Sequence, residues 1–166
     1  MLWLVVVFLF EFCCAGLYIP GHETVYIGGD DCGSLCTIEE GIRACPLNSR
    51  CWVISDTDYL YGPGNMNITL DQPLNLTSLM ISVNNVIVGN GFFMKIHDAV
   101  PEFVFTGNTE ALARIVNSTE TAMELRSSDP NSVFRLIHLV INGVPSEHLS
   151  TGLVVDSKGT VELEAV

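Results

Sequence analysis

Basic residues are scarce. Lysine and arginine number 7 against 19 aspartates and glutamates, a formal charge of −12, and the cations are scattered rather than clustered. Phosphate backbones and anionic lipid surfaces repel such a chain, which argues against nucleic acid as a partner. Long hydrophobic runs are lacking too. The apolar run from Leu2 to Phe10 falls well short of the ~20 residues that a bilayer-spanning helix needs. The small-residue stretch Cys13-Cys14-Ala15-Gly16 follows directly after Glu11-Phe12. This arrangement reads as a secretory signal peptide over residues 1–15, cleaved after Ala15, and leaves no integral membrane span in the mature chain. The expected location is extracellular.

Catalytic signatures are also missing. His22, His97, His138 and His148 are isolated, with neither His-x-x-His nor His-Glu-x-x-His spacing, and there is no Gly-x-Ser-x-Gly elbow or Gly-x4-Gly-Lys phosphate loop. His138 falls within "FRLIHLVI", read as one strand from Phe134 to Ile141, where a hydrogen-bonded histidine is the plain reading. No cofactor and no metal are expected. Beyond the signal, Cys32, Cys36, Cys45 and Cys51 are spaced Cys-x3-Cys and Cys-x5-Cys, unlike common zinc fingers. In an oxidising compartment they read as two disulfides stapling a small N-terminal unit, residues 16–51, with three possible connectivities.

Within that unit, Thr37 and Glu40 form a capping-box pair that predicts a short helix between Cys36 and Cys45, with Ile38 and Ile42 on its apolar side and Pro46 beyond its end. Sequons stand at Asn67-Ile-Thr69, Asn75-Leu-Thr77 and Asn117-Ser-Thr119, predicting a glycoprotein with sugars on Asn67, Asn75 and Asn117. From residue 52 to 166 the chain reads as strand and turn. Most of the candidate strands are three to five residues long, rich in Val, Ile, Leu and Phe, and broken by Gly, Asn, Asp or Pro. Val25–Ile27 is a further short candidate, and "TEALARIV" holds one helix-like spacing at Ala111, Leu112 and Ile115.

Sandwiches and up-and-down barrels favour longer strands with regular hairpins. Here an apolar run closed by Gly-Asn or Asn-Gly recurs instead, in "VIVGNG" at 86–91, "FVFTGN" at 103–108 and "LVING" at 139–143. The phrase suits a solenoid whose coils repeat one turn at one corner, because Asn tolerates left-handed backbone there.

Taken in order, "DCGSLCTIEEGIRAC", "CWVISDTDYLYGPGNMNITLDQPLNL" and "VFRLIHLVINGV…STGLVVDSKGTVELEAV" resemble the opening of a secreted β-helix of the pectin-lyase-like superfamily. The likeness is to the non-catalytic branch related to polymorphic outer-membrane-type repeat proteins. It implies an all-β fold, a right-handed parallel β-helix with a short N-terminal capping helix. It also implies that "GLVVDS" and "VELEAV" are two sides of one coil. A coil left uncovered exposes an apolar layer and a backbone edge, so further coils or a partner are expected at the C-terminal end.

Enzymes of that superfamily cleave acidic polysaccharides with clustered carboxylates, calcium or a basic residue. Asp56, Asp58, Asp71, Asp98 and Arg114 are the candidates here, but no polygalacturonase-type signature accompanies them. A polar turn is the simpler account of Asp56 and Asp58. The expected function is therefore a binding or adhesive module, recognising carbohydrate or a cell-surface protein on a solenoid face. Tyr59 and Tyr61, with Asp56 and Asp58, are its candidate ligand residues. The alternatives are a polysaccharide lyase or hydrolase whose catalytic coils are diverged or missing, and a non-functional N-terminal fragment.

Overall fold

A computed structural model of the chain describes residues 22–28, 35–107, 112–143 and 152–166. They form a three-sided parallel β-solenoid. β1 (Glu23–Ile27) leads into the single helix among them, α1 (Ile38–Ala44). Four coils of three strands follow. The first coil is β2 (Arg50–Ser55), β3 (Tyr59–Tyr61) and β4 (Ile68–Leu70); the second is β5 (Ser78–Ser82), β6 (Asn85–Ile87) and β7 (Met94–His97). The third is β8 (Glu102–Thr106), β9 (Ala113–Ser118) and β10 (Met123–Ser127); the fourth is β11 (Val133–Ile137), β12 (Leu139–Gly143) and β13 (Leu153–Ser157). β14 (Thr160–Glu164) begins a further coil. Face one is β1-β2-β5-β8-β11-β14, face two is β3-β6-β9-β12, and face three is β4-β7-β10-β13.

All pairings are parallel, and the register stacks like on like. Cys51, Leu79, Phe103, Phe134 and Val161 form one inward row on face one, with steps of 28, 24, 31 and 27 residues between partners. Val53, Ile81, Phe105, Leu136 and Leu163 form the next. From Cys51 to Phe134 and from Val53 to Leu136 these side chains are buried. Each fully buried large apolar side chain contributes about 1.5–3 kcal/mol, and Phe93 from the second coil packs against Phe105 with ring centroids 5.3 Å apart. The unequal steps explain why no fixed sequence period is visible: only the strands stack, and the corners vary in length.

The helix plugs the N-terminal end of the stack. Thr37 Oγ1 accepts from Glu40 N, and the Glu40 carboxylate accepts from Thr37 N and Cys36 N. This capping box is the one the sequence predicts, and it holds the Glu40 carboxyl below its usual pKa. Ile38 and Ile42 are buried. A Cβ on Gly41 would lie 2.7 Å from both Ile27 and Val53 side chains, so glycine lets the helix sit directly on the first coil. Cys45 and Cys51 are disulfide-bonded across the helix exit, with Cα atoms 5.7 Å apart. Cys36 is also disulfide-bonded, and Cys32 lies outside the described residues.

Three expectations change. The run Phe134–Ile141 is two strands on different faces, because His138 turns the corner with φ 52°. The helix-like spacing at Leu112 and Ile115 belongs to the approach to and interior of β9, where Ile115 is buried in register between Val86 and Ile141; Ala111 lies outside the described residues. The Gly/Asn phrases do not share one corner either: 86–91 and 139–143 leave face two, whereas 103–107 leaves face one, and Asn108 lies outside the described residues. β13 and β14 do occupy adjacent faces, but β13 completes the fourth coil and β14 opens the next.

Candidate functional site

The residues Asp56, Thr57 and Asp58 make the first corner between faces one and two. Ser55, buried at the end of β2, accepts a hydrogen bond from Thr57 N through Oγ at 3.2 Å, which closes the turn. One coil on, Asn85 Nδ2 donates to the Asp58 carbonyl at 2.7 Å and ties the corner to β6. The other end of β3 is fixed by the buried Asn65: its Nδ2 donates to Tyr61 O at 3.1 Å and its Oδ1 accepts from Ile38 N at 2.9 Å. The helix cap therefore orients the tyrosine strand, and Leu60 faces inward while Tyr59 and Tyr61 face out.

Pairing of β1 with β2 sets Tyr26 beside Ile54 and Ile27 beside Ser55, so β1 ends against the Asp56 turn. Gly28 continues it with φ 77°, and a Cβ there would approach Thr57 Oγ1 to 2.4 Å. The result is an open cleft of about 590 Å³ lined by Tyr26, Gly28, Asp56, Thr57, Asp58 and Tyr59, with Ile27 behind. Tyr26 and Tyr59 are 53% and 57% exposed, enough for a ring face to meet a ligand. Thr57 Oγ1 is buried in the same corner without a hydrogen-bond partner among the described residues.

The structure thus brings Asp56, Asp58 and Tyr59 together. Tyr61, 73% exposed, points the same way as Tyr59 but lies beside the cleft, on face two, in register with Ile87 and Val116. Tyr26 was not singled out by the sequence. Its only local sign was the alternation around the inward Ile27, and its role depends on a pairing between segments 28 residues apart.

The remaining polar candidates lie elsewhere. Arg114 is two strands from Tyr59 across face two, in the register Tyr59, Asn85, Arg114, roughly 10 Å at ordinary strand spacing. Asp71 and Asp98 belong to corners between faces three and one. Asp98 is occupied structurally: its carboxylate accepts from Ser127 Oγ and from Ser128 N and Oγ one coil on, which lowers its pKa. Among the described residues no group of three or more His, Cys, Asp and Glu is placed to hold a metal. No described helix is long and apolar enough to cross a membrane. Among the described residues most cations on the outer surface pair with an acid, the clearest case being Arg135, bound to Glu102 and Glu162 across three coils of face one.

The class that these features define is a parallel β-solenoid protein with an N-terminal helical plug and an open tyrosine-carboxylate corner. The chain matches no protein-family model, no curated protein and no solved structure.

Proposed function

We propose that the protein is a secreted, glycosylated binding module that takes carbohydrate at the Tyr26–Tyr59 corner, without catalysis. The observation that carries this reading is the pairing of two half-exposed tyrosine rings with two exposed carboxylates around one open cleft. Ring faces stack on the apolar face of a sugar, and carboxylates accept hydrogen bonds from its hydroxyls. The cleft is shallow and needs no deep enclosure for a chain-like ligand running on over Tyr61 and Ile87. Relationship to the non-catalytic pectin-lyase-like β-helices is part of the proposal, and the parallel solenoid agrees with it. A secretory signal over residues 1–15 is part of the same proposal and lies outside the described residues.

The test is a titration of the secreted protein with neutral cello-, manno- and chito-oligosaccharides and with polygalacturonate, followed by tyrosine fluorescence. At least one sugar is expected to bind, and Tyr59→Ala to weaken it at least tenfold while leaving the unfolding midpoint in place. Absence of any binding, or binding indifferent to Tyr59→Ala and Tyr26→Ala, would overturn the assignment. Release of unsaturated product from polygalacturonate with calcium would instead favour a lyase.

A further inference from the structure

The three sequons are far apart in sequence, yet the topology gathers them around one side of the solenoid. Asn67 and Asn117 stand at the corner between faces two and three, in the first and third coils, and Asn75 stands at the corner between faces three and one. All three asparagines are exposed and all take left-handed backbone, with φ 54°, 61° and 54° respectively. At the first of these corners the coils are stitched together: Asn67 Oδ1 accepts from Phe92 N at 3.1 Å, and Thr119 Oγ1 accepts from Gly91 N at 2.7 Å. Asn67 Nδ2 uses one hydrogen towards Asn90 O at 3.5 Å. An N-linked sugar replaces only one of the two amide hydrogens and keeps the carbonyl oxygen, so this bonding survives glycosylation.

The third corner, between faces one and two, is different. Among the described residues it is built from 56–58, 83–84, 107, 112 and 138, and no sequon begins at any of them. This is the corner that carries Asp56, Asp58 and Tyr59.

From this placement we infer that N-glycans on Asn67, Asn75 and Asn117 cloak face three and both of its corners, leaving the tyrosine corner as the one bare corner of the molecule. The inference rests on the reading of the chain as a secreted glycoprotein, but not on the identity of its ligand. Sugar chains several times longer than the ~4.8 Å strand spacing would overhang face three from both edges. The outward residues there, such as His97 and the corner residue Phe92, would be shielded.

The test uses the full chain, expressed with its own N-terminal residues in a eukaryotic secretory cell. Glycopeptide mass spectrometry should find sugar at all three asparagines. Hydroxyl-radical footprinting, before and after enzymatic removal of N-glycans, should show labelling of Phe92 and His97 rising at least twofold, with Tyr26, Tyr59 and Tyr61 unchanged. Ile87→Thr creates a sequon at Asn85 on the tyrosine side, and its added glycan should reduce labelling of Tyr59 and Tyr61. The double variant Asn85→Gln/Ile87→Thr should restore it and report any effect of the substitution itself. Empty sequons at either corner, or tyrosine labelling that rises in step with Phe92, would overturn the cloak. Failure of every oligosaccharide to bind would sink the proposed ligand and leave this map standing.

Discussion

Asp98 shows how much a single corner residue depends on the coil above it. Its backbone is left-handed, with φ 49°, and its exposed carboxylate accepts bonds from two serines 29 and 30 residues downstream. Those bonds favour the charged form and depress the carboxyl pKa. A depressed folded-state pKa adds stability above the unfolded value, about 3.9, and the contribution fades as pH falls through the folded value. Asp98→Asn keeps the shape and removes the charge. In urea unfolding at neutral pH the variant should therefore have the lower midpoint, and the gap should close as pH is lowered below the carboxylate range. A gap independent of pH would show that geometry, not charge, holds this corner. None of this was legible in the sequence, where Asp98 stood only as one of several candidate catalytic carboxylates. The partners are neighbours in space because coil length happens to align Asp98 with Ser128, and coil length varies from coil to coil.

At the scale of elements, legibility followed locality. The capping helix was readable from Thr37, Glu40, Ile38 and Ile42 because all its signals lie within two turns of chain. Thr37→Ala should remove a cap worth about 1 kcal/mol, lowering the urea midpoint without changing its slope, and Thr37→Ser should restore most of it. An unchanged midpoint would mean that packing of Ile38 and Ile42 alone seats the plug. Strand existence was readable as well, since short apolar runs bounded by Gly and Asn survive in almost every face. Strand boundaries at corners were not. "FRLIHLVI" looks continuous because both halves are apolar, and only the left-handed His138, whose N–H bonds to Glu164 O at 2.8 Å, divides it. A β-branched residue disfavours that conformation, by about 1–2 kcal/mol on the general left-handed penalty. Since His138 is exposed, His138→Val should destabilise by that amount, whereas in a strand interior it would be neutral or favourable. Thermal unfolding of the variant distinguishes the two. The strand Tyr59–Tyr61 leaves no strand sign in the sequence, because three residues beside Gly-Pro-Gly carry too little pattern; pairing with β6 makes it a strand.

The whole molecule is a stack in which each coil touches only its neighbours, so its two ends differ in what covers them. At one end α1 lies over Val53 and Ile27. At the other, β14 continues the inward rows with Val161 and Leu163, which are 37% and 54% exposed. Charge, by contrast, acts along the entire length. Coils are spaced about 4.8 Å apart, and the screening length is roughly 30 Å at 0.01 M salt but about 8 Å at 0.15 M. In dilute buffer, acids several coils apart therefore repel one another, and a net charge of −12 makes repulsion the dominant sum. Salt also weakens the favourable pairs, of which the Glu102–Arg135–Glu162 ladder is the best placed. Exposed pairs contribute only about 0–1 kcal/mol each, and among the described residues acids outside these pairs outnumber them. Screening the repulsion should win. Raising sodium chloride from 10 to 150 mM should increase the melting temperature by a few degrees, since about 1 kcal/mol corresponds to ~2–4 °C in a chain of this size. Arg135→Ala should make the increase larger, by removing the pair that salt opposes and raising the net negative charge. A melting temperature that falls with salt would mean that ladders such as Arg135's, and not the overall acidity, set the electrostatic balance of the solenoid.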